Sequence, residues 1–335
     1  MTAVKLPKIA ILILNRNGKH FLKNCFDSLK NQTYPNYEVV LVDNGSTDGS
    51  VEFVRKVYPW VKLIEFDRNY GFAKGYNMAI KQTQREYLVL LNNDTEVTKD
   101  WLYELVKPML KDERVLACGS RIMFYDRRDT LQHAGIKITP MGGGYDIGYL
   151  ERDRGQYLER PVGAVSGASM LVRRSAFVNL GGFDEDFFAY HEDTDFCWRA
   201  WLFGYTVLYV PTSAVYHIVG GTAGERVSSL RIFFGRRNRL MSLLKNFEPR
   251  NVAKALIITF LYDIARSFLF IRSRLHHALI DVFRAHVYIL KNLRLIIVKR
   301  RLIQRQRVVS DDALSSMGLI ATLRESISEF RKIEI

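Results

Sequence analysis

A chain of 335 residues, 48% hydrophobic and 25% charged, has an ordinary globular composition and the length for one large domain, or a domain with an appendage. Its net charge of +14 is unevenly placed: residues 1–225 hold 27 basic and 27 acidic side chains, 226–307 hold 19 and 3, and 308–335 hold 3 and 5. By charge the first two thirds are therefore no nucleic-acid-binding domain, and no nucleic acid is expected as partner. Three cysteines, Cys25, Cys118 and Cys197, lack paired spacing, which argues against a disulfide framework or a zinc site and for a reducing compartment.

The N-terminal stretch through Asn15 turns polar too soon for a signal peptide and reads as a first strand, Lys8 to Leu14. Strand patterns follow at Tyr37 to Val42, Val61 to Phe66, Tyr87 to Leu91 and Val115 to Gly119. Helical patterns lie between them, near Phe21 to Leu29, Ser50 to Val57, Gly75 to Gln82 and Trp101 to Leu110. This alternation predicts an α/β fold with a mostly parallel sheet. Residues 121–161 are rich in glycine and aromatics without a clear period, and read as a flexible or substrate-facing region. Order returns with a strand at Val162 to Val172, helices at Arg174 to Leu180 and Thr194 to Phe203, and a strand at Thr206 to Val210 closed by Pro211.

Beyond Pro249 the pattern changes. Val252 to Ile271 is apolar but interrupted by Lys254, Asp263 and Arg266, short of a membrane span. From Leu275 onward apolar residues recur at helical spacing, with Arg284, Lys291 and Arg294 on another face and Lys299, Arg300, Arg301, Arg305 and Arg307 beyond. Such a basic amphipathic segment, residues 252–307, suits an anionic membrane surface; the plain alternative is a helix packed on its own domain. The expected division is 1–248 for the catalytic domain and 249–335 for a helical extension, whose removal should leave donor binding intact.

Chemistry concentrates at strand ends, where α/β sheets bind ligands. Asp43 closes the second strand and could accept from a base or a ribose hydroxyl. Asn92-Asn93-Asp94 closes the fourth, where a carboxylate among amides suits a divalent cation and a phosphate, although a polar turn would look the same. The segment GGFDEDFFAYHEDTDFCWR brings Glu192, Asp193 and Asp195 to a helix start, where the helix dipole favours carboxylates. His217, in an apolar strand segment, would by itself read as a core histidine.

Together LNRNG, VDNGSTDGS, NYGFAKGYN, LLNNDTEV, SGASMLVRRSAF, GGFDEDFFAYHEDTDFCWR and AVYHIVGGT, in that order over about Lys8 to Phe247, resemble the family 2 glycosyltransferases of the GT-A (Rossmann-like) fold, in particular their bacterial rhamnosyltransferase-like branch. The resemblance implies an inverting, metal-dependent hexosyltransferase. It assigns Asp193 as catalytic base and Asp94 with His217 as ligands of Mg²⁺ or Mn²⁺. Asn15, Asn17, Asp43, Asn69, Lys74, Asn77, Asn92 and Asn93 fall on the donor side, and Glu192 and Asp195 on the acceptor side or in support. The implied partners are a nucleotide-diphosphate sugar, dTDP-rhamnose first and a UDP-sugar next, and a glycan or lipid-linked acceptor in cell-surface polysaccharide assembly. The implied location is cytoplasmic, peripheral at the inner face of the cell membrane. With amides at 92 and 93, only Asp94 brings charge to the cation, so weak metal binding without nucleotide is expected. A nucleotide-sugar-binding regulator or inactive scaffold, and a nucleotidyltransferase, are the alternatives.

Overall fold

The computed structural model describes residues 6–218 and 228–333. In chain order the first half runs β1 (Ile9–Asn15), α1 (Lys19–Leu29), β2 (Tyr37–Asp43), α2 (Ser50–Val57), β3 (Lys62–Glu65), α3 (Gly71–Lys81), β4 (Tyr87–Asn92), β5 (Thr95–Val97), α4 (Trp101–Lys111) and β6 (Val115–Phe124). Strands β1, β2 and β4 are apolar runs buried along nearly their whole length, because helices cover both faces of the sheet. Ile9, Ile11 and Ile13 pack with Phe26 of α1 and Trp101 of α4, while Ala10 and Leu12 face Tyr76 of α3. The alternation is that of a pleated strand.

The glycine-rich region contributes β7 (Leu131–His133), β8 (Ile136–Ile138) and β9 (Gly144–Asp146), followed by β10 (Arg160–Pro161), β11 (Ser169–Arg173), α5 (Arg174–Asn179), α6 (Glu192–Leu202) and β12 (Thr206–His217). The sheet order is β10-β12-β6-β11-β4-β1-β2-β3, parallel from β4 to β3, with β11 antiparallel between β4 and β6. Two details differ from the sequence reading. The strand expected over 162–172 shortens to Ser169–Arg173, and β12 does not stop at Pro211. A register shift between Val210 and Ala214 absorbs the proline, and pairing resumes to His217.

Helices complete the chain: α7 (Ser229–Asn246), α8 (Pro249–Arg272), α9 (His276–Lys291), α10 (Leu293–Gln306), α11 (Asp311–Ser316) and α12 (Leu323–Ile333). Among the described residues no helix is long and apolar enough to cross a membrane. Part of the basic character expected on a membrane-facing surface is turned inward instead. Arg300 donates to the carbonyls of Leu244 and Phe247 at 2.6 and 2.7 Å, and Gln304 to those of Lys245 and Asn246 at 2.8 and 3.1 Å. Arg307 reaches Asn246 O and, at 2.9 Å, Asp311. These bonds satisfy the last carbonyls of α7, which a helix cannot pair within itself.

Candidate active site

The carboxyl ends of β1, β2 and β4 form the floor of a cleft of about 540 Å³. Asn15, fully buried, accepts from Asn93 Nδ2 at 2.7 Å and donates to Asp43 and to Ser46 Oγ, each at 3.2 Å. Asp43 also accepts from the Ser46 N–H at 2.8 Å. Asn17, at φ 52, takes the left-handed conformation that asparagine tolerates, and its side chain accepts from Thr47 N–H at 2.7 Å. Asn15, Asn17 and Asp43 thus tie the loops behind the cleft, while Arg16, Asn44 and Asn69 line it.

His217 reaches Asp94 because β5 pairs antiparallel with the end of β12, setting Thr95 opposite His217. His217 Nε2 lies 3.2 Å from Asp94 Oδ1 and 3.4 Å from Asn92 Nδ2, and Nδ1 lies 2.9 Å from Gln132 Oε1. With Nδ1–H donated to Gln132, the Nε2 lone pair faces a carboxylate oxygen, an arrangement that a cation between them relieves. The oxygen and imidazole donors suit Mg²⁺ or Mn²⁺, with the nitrogen favouring Mn²⁺. Among the described residues no group of three or more His, Cys, Asp and Glu forms such a site.

The opposite wall is the segment leading into α6. Phe188, Tyr190 and His191 have φ of 61, 70 and 67°, strain on the order of 1–3 kcal/mol each. Surrounding bonds impose it. Asn238 of α7 donates to the carbonyls of Phe187, Ala189 and Tyr190 at 3.1, 2.8 and 2.7 Å, and Arg237 to those of Asp186 and Phe187 at 2.6 and 2.8 Å. Phe188 stacks on Phe234, and its carbonyl accepts from Phe72 N–H at 2.6 Å at the start of α3. A side chain at Gly71 would meet that carbonyl at 2.6 Å, so the approach requires glycine.

Asp193 faces the cleft with Oδ2 accepting from Gly167 N–H at 3.0 Å and Oδ1 from Thr194 N–H at 2.6 Å. Burial raises its pKa, against the pull of these two amides. Glu192 lines the same cleft, 5% exposed, with Oε2 unbonded among the described residues. Burial, and next the charge of Asp193, push its pKa well up from the ordinary glutamate value. Burial and then Arg239, Arg231 and Arg236 lower His191 to about 3, leaving it uncharged. The arrangement sets the Asp193 carboxylate beside Glu192 in the same cleft as the Asp94–His217 pair.

Of the residues singled out in the sequence, Asn69, Asn92, Asn93, Asp94, Glu192, Asp193 and His217 share the cleft. Six do not line it: Asn15, Asn17 and Asp43 lie behind its floor, and three more point elsewhere. Asn77 bonds the backbone of Phe183 in both directions, at 2.9 and 3.0 Å. Lys74 is half-buried, 3.8 Å from Glu185. Asp195 is fully buried against Arg199, Ser242, Lys245 and Asn246. Residues 219–222 of the AVYHIVGGT motif lie outside the described residues. Sequence reasoning missed Arg16, Asp146 with His133, and the clamp formed by α7. The first three belong to no recognisable spacing, and α7 was counted only as charge.

The family model described as "Glycosyl transferase family 2" matches residues 9–181, just over half the chain. The O-antigen biosynthesis protein RfbC of Myxococcus xanthus is 33% identical over 195 residues, 54% of this chain and 15% of that protein. An N-acetylglucosaminyl-diphospho-decaprenol L-rhamnosyltransferase of Mycobacterium tuberculosis is 29% identical over 246 residues, 67% of this chain and 79% of that protein. The chain thus spans only a small part of the first of these relatives and most of the second. The mannosyltransferase PcManGT of Pyrobaculum calidifontis, solved with GDP-Man and Mn²⁺, superposes with a TM-score of 0.53 at 18% identity, covering 94% of this chain and 84% of that one. That likeness supports the GT-A fold.

Proposed function

This chain belongs to glycosyl transferase family 2, and we propose that it transfers a sugar from a nucleotide-diphosphate donor to a hydroxyl of a glycan or lipid-linked acceptor in cell-surface polysaccharide assembly, inverting the anomeric centre. The observation that carries this reading is that Asp193 opens onto the same cleft as the Asp94–His217 pair. Asp193 takes the proton of the acceptor hydroxyl as it attacks the anomeric carbon, a general-base role worth about 10²–10⁴-fold. Glu192, whose Oε2 is unbonded among the described residues, offers a hydrogen-bonding partner to a sugar hydroxyl. Arg16, Asn44 and Asn69 face the donor end. Asp94 and His217 would hold Mg²⁺ or Mn²⁺, which supplies positive charge to the leaving diphosphate.

A dTDP-rhamnose donor is the first choice, supported by the similarity to the mycobacterial enzyme named as a rhamnosyltransferase; a UDP-sugar is the second. The proposed site of action is the inner face of the cell membrane. Between Lys254 and Arg305 the only acids, Asp263 and Asp281, are buried. What remains outward is apolar, including Phe260, Phe268, Phe283 and Leu290, or basic, including Lys254, Arg272, Arg284 and Lys291. An anionic lipid surface complements both. Donor hydrolysis with Mn²⁺ tests the reading: Asp193→Ala and Asp94→Ala should each abolish turnover, and full activity in both variants would refute it.

A further inference from the structure

His133 and Asp146 lie in the region without periodicity, yet they meet at the cleft. His133 is 2% exposed, and its Nε2 lies 3.3 Å from the Ser166 N–H. A backbone amide can only donate, so Nε2 carries the lone pair and Nδ1 the proton. That proton is given to Asp146 Oδ1 at 2.8 Å. The histidine is thereby a neutral strut that fixes one carboxylate oxygen. Asp146 itself lines the cleft with its side chain 41% exposed.

The next amide along, Gly167 N–H, is the one that holds Asp193 Oδ2. Two consecutive amides therefore set His133, and through it Asp146, in fixed relation to the proposed base. Gly167 leaves no slack, since a side chain there would come within 2.8 Å of the Phe72 ring. Strand β9, which carries Asp146, also packs on the first turn of α6: a side chain at Gly144 would stand 3.5 Å from Thr194 Cγ2. Asp146 is close enough for its charge to act on Asp193. The cation-binding pair comes from other elements, β12 and the turn after β4. A fixed, partly open carboxylate beside the base suits a hydroxyl of the acceptor and repels a phosphate.

Resting on the sugar-transfer reading, we propose that Asp146 binds a second hydroxyl of the acceptor sugar, neighbouring the one that Asp193 deprotonates, and that His133 is its positioning residue. The acceptor would then need two adjacent hydroxyls, and Asp146 would decide which sugars qualify. The test uses the full chain with Mn²⁺, a nucleotide sugar that it hydrolyses, and a panel of aryl glycosides with their monodeoxy analogues as acceptors. Asp146→Ala should raise the acceptor KM about tenfold or more, the loss expected for a hydrogen bond to a charged group. Donor KM should stay within about twofold. One monodeoxy glycoside should cost the wild type the same factor and cost Asp146→Ala nothing further. His133→Gln should show part of the same rise in acceptor KM. An unchanged acceptor KM in an active Asp146→Ala enzyme, or an equal rise in donor KM, overturns the assignment alone. A wild-type chain that consumes no nucleotide sugar overturns the sugar-transfer reading and this assignment with it.

Discussion

Lys245→Met tests whether the C-terminal helices hold the acidic segment around the proposed base. Lys245 is 1% exposed, with Nζ 2.5 Å from Asp184 and 3.1 Å from Asp195. Methionine keeps much of the volume, so the perturbation is chiefly electrostatic. Removing one partner of a buried pair costs about 3–5 kcal/mol when the other charge is left uncompensated. Here Asp184 keeps Lys299, and Asp195 keeps Arg199 at 2.9 Å, which places the cost near the lower end, at about 3 kcal/mol. An unfolding entropy of about 2.1 cal/mol/K per residue gives roughly 0.7 kcal/mol/K for this chain, hence a fall in Tm of about 4 °C for cooperative unfolding. Burial alone would raise the Asp184 pKa, but Lys245 and Lys299 outweigh it and hold the carboxyl well below the usual range. A depressed pKa contributes stability above the unfolded value of about 4 and loses it as pH falls further, so the gap between wild type and variant should narrow below about pH 4. Thermal unfolding followed by circular dichroism at several pH values measures both. A Tm within 1 °C of wild type at pH 7, or a gap that widens in acid, would refute the reasoning. The same network bears on truncation: deleting the chain beyond residue 250 removes Lys299, Arg300 and Arg307, and should cost stability.

Asp193→Asn should lower kcat/KM by about 10²–10⁴-fold, whereas Glu192→Gln, which keeps the size and hydrogen-bonding capacity of the side chain, should lose less than about tenfold; equal losses would contradict Asp193 as the sole base. Because burial raises the Asp193 pKa, the acidic limb of the kcat/KM profile should fall above the pH range of an ordinary aspartate, and a limb at or below that range counts against Asp193 as the base. Chelation by EDTA should stop turnover, and titration calorimetry should find Mn²⁺ binding strengthened by nucleotide diphosphate; tight binding to the nucleotide-free protein would speak against Asp94 and His217 as the main protein ligands. Flotation with phosphatidylglycerol vesicles should carry the protein at low salt and release it at high salt, with Phe260→Ser plus Phe268→Ser weakening the association; binding indifferent to salt and to both substitutions would remove the membrane role of α8–α10.

The strands that bear the donor side were legible because each is buried on both faces, which writes a bare apolar run into the sequence, and polar residues at its end mark the cleft. The meeting of His217 with Asp94 was legible only through family resemblance. It depends on β12 running past Pro211 by a register shift, and no local pattern announces a strand that resumes after a proline. Charge was legible only as a sum for a related reason: a count gives the total along a segment but not its direction. Lys299 and Arg300 turn to Asp184 and to the end of α7, while Arg301 beside them is exposed. The acidic segment divides in the same way. At 3.6 residues per turn, positions two apart on a helix point about 200° from each other, so Asp193 and Asp195 could not both face the substrate. One opens on the cleft, and the other is locked to Arg199, Lys245 and Ser242. The acid that holds the segment in place and the acid that opens on the cleft are therefore neighbours in sequence, and helical geometry alone assigns them opposite sides.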